Sequence, residues 1–472
     1  MRLMATVNPA RCVLLTLLAV IAVFALVPCH TGHRAAEAGS GKIVVWNGTL
    51  IDGTGADPVA DGAVVVEDGV ITAVGQFDEL SLPPDADWVD AHGGTILPGV
   101  IDAHTHITSD LANGIDVLSP WLQTGVTTLQ DLGTVWNLVP YFRGQVEVVA
   151  TQPPRVQWAG PIITAPGGYP YNYFPEIAYA VTTVDEARAI VDELIDNQGV
   201  DIIKIAVETG YDTDYYEPGL PVLSPELIAA ITEEAHAKGV MVAAHVTGPD
   251  ELQVAADNGV DVAGHAPIMP ALDSELQDAI DHNVIMDTTA GAWGAGGVRS
   301  LQAAANAFRY WQLGGRIAIG TDYPFQPSSM PVQEFGLLSN AGTPDLDIIV
   351  AATKNSAAAI GRGADLGTLE VGKLADIIVV GGDPLMNIQL MGDVDTVILD
   401  GEIAKGHTSP MPTPTPRPAV GGIAEPPPGV VDAESGAPAE ESDWPGGTYV
   451  LLAGAAVAIV FGGWYARKRL LH

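Results

Sequence analysis

The sequence contains very little cysteine and few basic residues. Its two cysteines, Cys12 and Cys29, both lie in an apolar N-terminal segment of a 472-residue chain. The rest of the chain therefore offers no thiol nucleophile and no disulfide, and a metal there would need histidine, carboxylate or modified lysine ligands. The chain has 20 Lys and Arg residues and 57 Asp and Glu residues, which gives a net charge of −37. Such a surface repels phosphates, which argues against nucleic-acid binding.

The first 40 residues are typical of a secretory signal peptide or an N-terminal membrane segment. Arg2 and Arg11 precede the apolar run 13–28, which is short for a membrane span. Residues 36–38, Ala-Glu-Ala, offer a cleavage site. We therefore expect residues 1–40 to be a signal. An uncleaved anchor and a buried helix are the alternatives, and whether the segment is cleaved, lipidated or retained stays open.

A second apolar segment, residues 448–466, carries no charge and is followed at once by Arg467-Lys468-Arg469. Aromatic residues stand near both of its ends: Trp444, Tyr449, Trp464 and Tyr465. Apolar length, aromatic edges and trailing positive charge together predict a transmembrane helix, with residues 467–472 as a cytoplasmic tail.

Residues 406–447 connect this helix to the body of the chain and are rich in proline and acidic residues. Repeated proline favours extended polyproline II structure, and the remaining residues are too polar to bury a core. The segment therefore reads as a linker that holds the body outside the cytoplasm at a cell membrane. The oligomeric state stays open, a homo-oligomer included.

The body begins and ends with short alternating apolar runs, at residues 41–95 and again at 366–405. Glu67-Asp68-Gly69 is typical of a hairpin turn between two such runs. Two strand-rich pieces on either side of a long central region predict one composite β-sandwich built from both flanks.

The central region, residues 96–365, alternates short apolar runs with helical patterns. Alternation of this kind predicts a parallel sheet with right-handed crossovers, and eight repeats match an α/β fold of the (β/α)₈ TIM-barrel type. In that fold the side chains at the strand ends converge on one mouth, where chemistry occurs. The eight expected strands are 95–101, 126–132, 155–163, 201–207, 240–246, 261–266, 284–289 and 317–322.

Polar side chains follow or interrupt five of these strands, and each of them is weak evidence alone. A single histidine near a strand is usually structural, although alternation does place both histidines of His-x-His on one face. A lysine flanked by isoleucines is costly to bury unless it is paired or modified. Their joint occurrence at strand ends predicts a metal site. The residues are His104, His106, Lys204, His245, His265 and Asp322.

These residues, in this order, resemble the amidohydrolase superfamily, and the resemblance covers about residues 41–405. Besides the Lys204-to-Asp322 series, two segments carry it: residues 97–106, ending in His-Thr-His, and residues 366–377 at the return into the second flank. Within the superfamily the chain is similar to the imidazolonepropionase-like and Xaa-Pro or Xaa-Arg dipeptidase-like group.

The resemblance implies a role for each residue and a cofactor of two divalent metal ions, with Zn²⁺ as the first candidate. His104, His106 and Asp322 would bind the more buried ion, and His245 and His265 the more exposed one. Lys204 would be N-carboxylated, so that its carbamate bridges both ions. This modification would also explain a lysine in an apolar strand.

The implied activity is hydrolysis of an amide or peptide-type C–N bond in a small molecule such as a dipeptide or N-acyl amino acid. A water between two divalent ions loses a proton near neutral pH and attacks the carbonyl carbon, and Asp322 passes the proton to the leaving nitrogen. The alternatives are a lactonase, esterase or phosphotriesterase with the same metals, and a non-catalytic surface binding protein.

One segment departs from the family pattern. Dipeptidase-like relatives carry a Gly-Gly-His-Gly type sequence after the third strand, whereas this chain has Pro-Gly-Gly-Tyr-Pro-Tyr at residues 166–171. Tyr169 stands where that histidine would help to hold the substrate. A phenol donates a hydrogen bond but carries no positive charge. Tyr169 is therefore a candidate substrate-binding residue, with packing of a loop as the alternative.

Overall fold

The computed structural model describes residues 41–108, 118–147, 152–210, 212, 216–294, 296–326 and 329–412. The predicted signal segment, transmembrane helix and cytoplasmic tail lie outside these residues, as does the linker from residue 413 onward. Within the described residues, no helix has the length and apolar character needed to cross a membrane.

The N-terminal flank forms five strands. They are β1 (Lys42–Leu50), β2 (Val59–Glu67), β3 (Val70–Gln76), β4 (Asp87–Asp90) and β5 (Thr95–Pro98). The expected hairpin connects β2 and β3, with Asp68 and Gly69 both at positive φ (49° and 81°). Strand β1 pairs antiparallel with β2 and parallel with β4 and β5.

The central region consists of parallel strands that are buried along almost their whole length, as expected for a sheet covered by helices on its outer face. They form one three-stranded and one seven-stranded sheet. Backbone hydrogen bonds connect the two sheets into a ring, from Asp201 N to Trp158 O (2.8 Å) at one junction, and from Ala103 N to Ile319 O (2.9 Å) and Asp322 N to His104 O (2.7 Å) at the other. This arrangement is consistent with a TIM barrel. The strands are β6 (Val100–Thr105), β7 (Val126–Asp131), β8 (Arg155–Trp158), β9 (Ile162–Thr164), β10 (Ala178–Ala180), β11 (Ile202–Ala206), β12 (Met241–His245), β13 (Val262–Ala263), β14 (Ile285–Asp287) and β15 (Arg316–Ala318).

Helices alternate with these strands and begin at recognisable capping residues. Thr183 forms a capping box with Glu186, and the hydroxyl of Ser224 accepts the N–H of Leu227. The helices are α1 (Ser119–Gln123), α2 (Val139–Glu147), α3 (Val184–Asp192), α4 (Pro225–Ala237), α5 (Pro249–Asp257), α6 (Asp273–Asp281), α7 (Val298–Gln312), α8 (Val332–Ala341), α9 (Asp345–Val350) and α10 (Ser356–Ala359).

The C-terminal flank adds β16 (Ile377–Val380), β17 (Val394–Leu399) and β18 (Glu402–Lys405). Strand β16 pairs antiparallel with β5, so both flanks enter one eight-stranded sheet in the order β18-β17-β16-β5-β1-β2-β3, with β4 beside β1. Arg155 at the start of β8 connects this sheet to the barrel, because its guanidinium binds Asp376 (2.7 Å) and Asp400 (2.5 Å).

The first expected barrel strand, residues 95–101, is divided between two sheets. Strand β5 belongs to the flanking sheet and β6 to the barrel, with Gly99 alone between them. A β-carbon on Gly99 would lie 2.3 Å from Thr127 Oγ1, so a side chain does not fit at this crossing. The apolar run is continuous because both sheets bury it, and sequence pattern alone does not reveal the change of sheet.

Candidate metal centre

The barrel strands bring the predicted ligands to one end. His104 lies in β6, and His106 follows directly after that strand, on the same face. His245 is the last residue of β12, and Lys204 is the central residue of the fully buried strand β11. His265 and Asp322 lie in the loops after β13 and β15, two and four residues beyond the strand ends.

Asp322 joins the histidines of the first strand. Its Oδ1 lies 3.3 Å from His104 Nε2 and 3.2 Å from His106 Nε2. The ligand atoms of these three residues all lie within 4.8 Å of one another, a spacing that could hold a metal ion. His104 is fully buried, whereas the side chain of His106 is 20% exposed, so the group opens toward solvent on one side.

The protonation of His104 suits a metal ligand. Its Nδ1 lies 2.6 Å from the carbonyl oxygen of Gly264, which only accepts, so Nδ1 carries the ring proton and Nε2 keeps its lone pair. Burial lowers the pKa of His104 well below its usual range, and the nearby charge of Lys204 lowers it further. Nε2 and the Asp322 carboxylate are then two acceptors facing each other, and a cation between them satisfies both.

Asp102 fixes the backbone around this group. The carboxylate is fully buried and accepts the N–H of His104 (3.2 Å), the N–H of Thr321 (3.0 Å) and the hydroxyl of Thr321 (2.7 Å). It thereby ties the first strand to the segment that carries Asp322. Asp322 itself has a positive φ of 53°, an uncommon conformation for a residue other than glycine, where its carboxylate meets the histidines.

The other two histidines form a second pair. His245 Nδ1 and His265 Nε2 face each other at 2.9 Å. The rings of His104 and His265 lie 4.7 Å apart between centroids, so the two histidine groups adjoin. Burial lowers the pKa of His265 well below its usual range, and the charges of His245 and Lys204 act in the same direction.

Lys204 lies close to both histidine groups, since its charge acts on His104 and on His265. A β-carbon placed on Gly264 would lie 2.5 Å from Lys204 Nζ and 3.3 Å from His104 Cε1, so the glycine leaves room for the ammonium beside the imidazole. The residue is 1% exposed, and Nζ has no hydrogen-bond partner among the described residues. Burial lowers the pKa of Lys204 to about 8. The structure thus brings all six predicted residues close together, and the facing acceptors of His104 and Asp322 fit a bound cation.

Tyr169 lies directly over this site. Its ring stacks on the imidazole of His245, with centroids 4.2 Å apart and an interplanar angle of 28°. Tyr173 and Tyr216 contact Tyr169, and the hydroxyl of Tyr216 is 3.5 Å from His245 Nε2. Burial raises the pKa of Tyr169 far above its usual range, so its phenol stays protonated and able to donate a hydrogen bond.

Sequence reasoning missed two buried acids beside the ligands. Glu208 Oε2 lies 3.2 Å from His245 Nε2, and Asp287 Oδ2 lies 3.6 Å from His104 Nδ1. Neither oxygen of Asp287 has a hydrogen-bond partner among the described residues, and burial raises its pKa well above the usual range. A signal did exist for Glu208, because residues 204, 206 and 208 alternate onto the face that carries Lys204.

Comparison with known proteins agrees with this geometry. The sequence profile of the amidohydrolase family matches residues 95–404. An enamidase from Eubacterium barkeri is 29% identical over 401 residues, covering 78% of this chain and 97% of the enamidase. An imidazolonepropionase from Symbiobacterium thermophilum is 27% identical, covering 72% of this chain and 89% of that protein.

A solved structure shares the same architecture. The crystal structure of a Xaa-Pro dipeptidase with bound methionine aligns with a TM-score of 0.68 and 25% identity, covering 77% of this chain and 100% of the dipeptidase. The matched profile spans more than half of the sequence. The chain therefore belongs to the amidohydrolase family and is a hydrolase that acts on carbon–nitrogen bonds.

Proposed function

We propose that this chain hydrolyses an amide or peptide-type C–N bond in a dipeptide or N-acyl amino acid-like substrate, with Asp322 as general acid and base. The observation that carries the proposal is the position of Asp322 Oδ1, 3.2 and 3.3 Å from two imidazole nitrogens at the barrel mouth. Relatives named enamidase, imidazolonepropionase and Xaa-Pro dipeptidase support a C–N substrate.

The proposed cofactor is a pair of divalent ions, with Zn²⁺ as the first candidate because imidazoles dominate the ligands. His104, His106 and Asp322 would hold one ion, His245 and His265 the other, and Lys204 both. Bound ions would supply Lewis acidity toward the substrate carbonyl and lower the pKa of a water molecule to near neutrality.

The residues of the chain would then move one proton. The Asp322 carboxylate accepts it from the nucleophilic water and donates it to the nitrogen as the C–N bond breaks, so that an acid and an amine leave. The side chains of His106 and Asp322 are 20% and 10% exposed, so substrate would approach the site from their side. The Tyr169 phenol, above His245, would donate a hydrogen bond to the substrate.

Lys204 would act as a carbamate. A lysine amine whose pKa is lowered to about 8 is partly neutral near neutral pH, and a neutral amine adds to carbon dioxide with loss of one proton. The product places anionic oxygens where the structure has a buried nitrogen atom without a hydrogen-bond partner among the described residues. A carbamate would offer one oxygen to each of two ions, so carboxylation of Lys204 would favour the binuclear form of the site over a single ion.

Metal analysis of the full chain, followed by a substrate screen, tests the proposal. We expect about two divalent ions per chain, and turnover of dipeptides or N-acyl amino acids. Turnover of lactones, aryl esters or phosphotriesters without any C–N substrate would favour the alternative hydrolase. A purified protein that binds no metal would contradict the mechanism altogether.

We also propose that the protein is held at a cell membrane by residues 448–466, with its catalytic body outside the cytoplasm. The support is the sequence alone: an uncharged segment followed by Arg467-Lys468-Arg469. Protease treatment of intact cells should remove the body and spare the C-terminal tail. Recovery of the full chain in the soluble fraction would contradict the anchor.

A further inference from the structure

Both carboxylate oxygens of Glu208 accept hydrogen bonds, and one of them contacts the imidazole of His245. Glu208 is 1% exposed and follows strand β11. Its Oε1 accepts the N–H of Gly210 (2.7 Å), and its Oε2 accepts the hydroxyl of Thr247 (2.8 Å). The same Oε2 lies 3.2 Å from His245 Nε2, closer than the hydroxyl of Tyr216 at 3.5 Å. Substrate therefore has no access to this carboxylate, and its effect must pass through the imidazole.

A carboxylate accepts hydrogen bonds and donates none, so His245 must carry its ring proton on Nε2. Nδ1 then holds a lone pair that points at His265 Nε2, 2.9 Å away. Only one proton fits between these two nitrogens. Without a cation, His265 supplies it as an Nε2–H donor.

His265 is contacted by the hydroxyl of Thr289, whereas His245 is contacted by a carboxylate. Thr289 Oγ1 lies 2.8 Å from His265 Nδ1, and Thr289 is fully buried at a φ of 40°. A hydroxyl both donates and accepts, so it binds Nδ1 in either tautomer of the ring. His265 can therefore transfer its proton from Nε2 to Nδ1 by exchange with water, and the Thr289 hydroxyl then turns from donor to acceptor.

We propose that Glu208 is a positioning residue that holds His245 in the one tautomer able to bind the second ion, while Thr289 lets His265 change tautomer as that ion enters. This inference rests on the proposed function, because it requires the ion assigned to these two histidines. His245 is thus fixed in advance and His265 adapts, and neither imidazole gains or loses a net proton when the ion enters.

Replacing Glu208 by glutamine tests the proposal. The new side chain can accept the N–H of Gly210 through its oxygen, which turns its NH₂ group toward Thr247 and His245 Nε2. His245 would then hold its proton on Nδ1, facing His265. We expect affinity for the second ion to fall by about 10- to 100-fold and Zn²⁺ content to drop from about two to about one ion per chain.

Glu251→Gln is the matched control. Glu251 is also buried and also binds Thr247, but its hydrogen bonds go to backbone and hydroxyl groups rather than to an imidazole.

Thr289→Val, which removes the adaptable hydroxyl, should lower the affinity for the second ion as Glu208→Gln does, and Thr289→Ser should restore it. The melting temperature of each metal-free variant shows whether it folds.

The readout is a calorimetric titration of the chelator-stripped full chain with Zn²⁺. Two tight ions in the wild type and one in Glu208→Gln support the proposal. Two ions of unchanged affinity in both Glu208→Gln and Thr289→Val overturn it while leaving the proposed function intact. Fewer than two ions in the wild type would instead disprove the binuclear site, and this inference with it.

Discussion

The backbone N–H of Asp322 donates a 2.7 Å hydrogen bond to the carbonyl oxygen of His104. The proposed proton carrier is thus tied through its own main chain to a proposed metal ligand. Side-chain distances of 3.2 to 3.3 Å from Asp322 to the two histidines accompany this contact and the positive φ of Asp322. The backbone of Asp322 thus holds the residue next to the histidines that its carboxylate contacts.

Asp322→Asn should therefore separate chemistry from binding. The amide retains one oxygen for the ion but no longer accepts a proton at neutral pH, so we expect kcat to fall by about 10²- to 10⁴-fold. Metal content should stay close to that of the wild type. Kinetics and elemental analysis on the same sample provide the measurement, with the exposed Asp57→Asn as control. Unchanged kcat would assign proton transfer to another group.

Thr321→Val should loosen the connection between the first and last strands. The change removes the hydroxyl that donates a 2.7 Å hydrogen bond to buried Asp102. Leaving a buried carboxylate oxygen short of a donor costs about 1–3 kcal/mol, so we expect a lower melting temperature. Thr321→Ser keeps the hydroxyl and should retain the wild-type value. Equal melting temperatures for the valine and serine variants would argue against the role of this hydrogen bond.

Gly264→Ala should block the metal centre without unfolding the barrel. The added carbon would lie 2.5 Å from Lys204 Nζ and 2.9 Å from the carbonyl oxygen of Ala244, and the backbone oxygen has little freedom to move. We expect loss of bound metal and of turnover with a nearly unchanged circular dichroism spectrum. Gly144→Ala, where a β-carbon meets no atom within 4 Å, is the control. A Gly264→Ala protein that binds its full complement of metal would show that a β-carbon at this position does not crowd Lys204.

Metal removal should lower thermal stability reversibly. Ions that bind the folded chain alone stabilise it by about 4 kcal/mol when the free ion is at 1,000 times its Kd. Chelation also leaves buried acceptors facing each other around His104 and Asp322. We expect a lower melting temperature after dialysis against a chelator and recovery on addition of Zn²⁺. A melting temperature that changes neither after chelation nor after addition of Zn²⁺ would show that the site does not bind metal.

Arg155→Met should destabilise the contact between barrel and flanking sheet. The side chains of Arg155 and Asp376 are 15% and 6% exposed, so the substitution strands a buried carboxylate. Breaking a buried pair in this way costs about 3–5 kcal/mol, measurable by urea denaturation. The double variant Arg155→Met, Asp376→Leu removes both charges and should recover part of that loss. A double variant less stable than Arg155→Met would show that burying the charge is not the main cost.

The six candidate ligands were predictable because parallel strands deliver their C-terminal ends to one mouth. Lys204 is the clearest example, since a lysine between isoleucines in a buried strand requires an explanation. Sequence pattern was less informative about His265 and Asp322, which lie beyond the ends of β13 and β15. Their positions depend on loop conformation, such as the positive φ of Asp322, which alternation of apolar residues does not encode.

The residues behind the ligands were not identified from the sequence. Glu208, Asp287 and Thr289 matter here because of the atoms they contact in three dimensions, across strands that are distant in the chain. A buried acid in an apolar strand shows that a partner is needed but not which one. The division of residues 95–101 between two sheets was missed for a related reason, because both sheets bury the same kinds of side chain.

The pairing of β5 with β16 has a consequence for biosynthesis. The Thr95 hydroxyl donates a hydrogen bond to the carbonyl oxygen of Gly382, a sequence separation of 287 residues. Strand β5 therefore lacks its β16 partner until all the barrel strands, β6 to β15, have been translated. Contacts of such long range form slowly, and an unpaired strand edge is open to self-association meanwhile. The flanking sheet is therefore completed only after the barrel, and its β5 edge is open to self-association during synthesis.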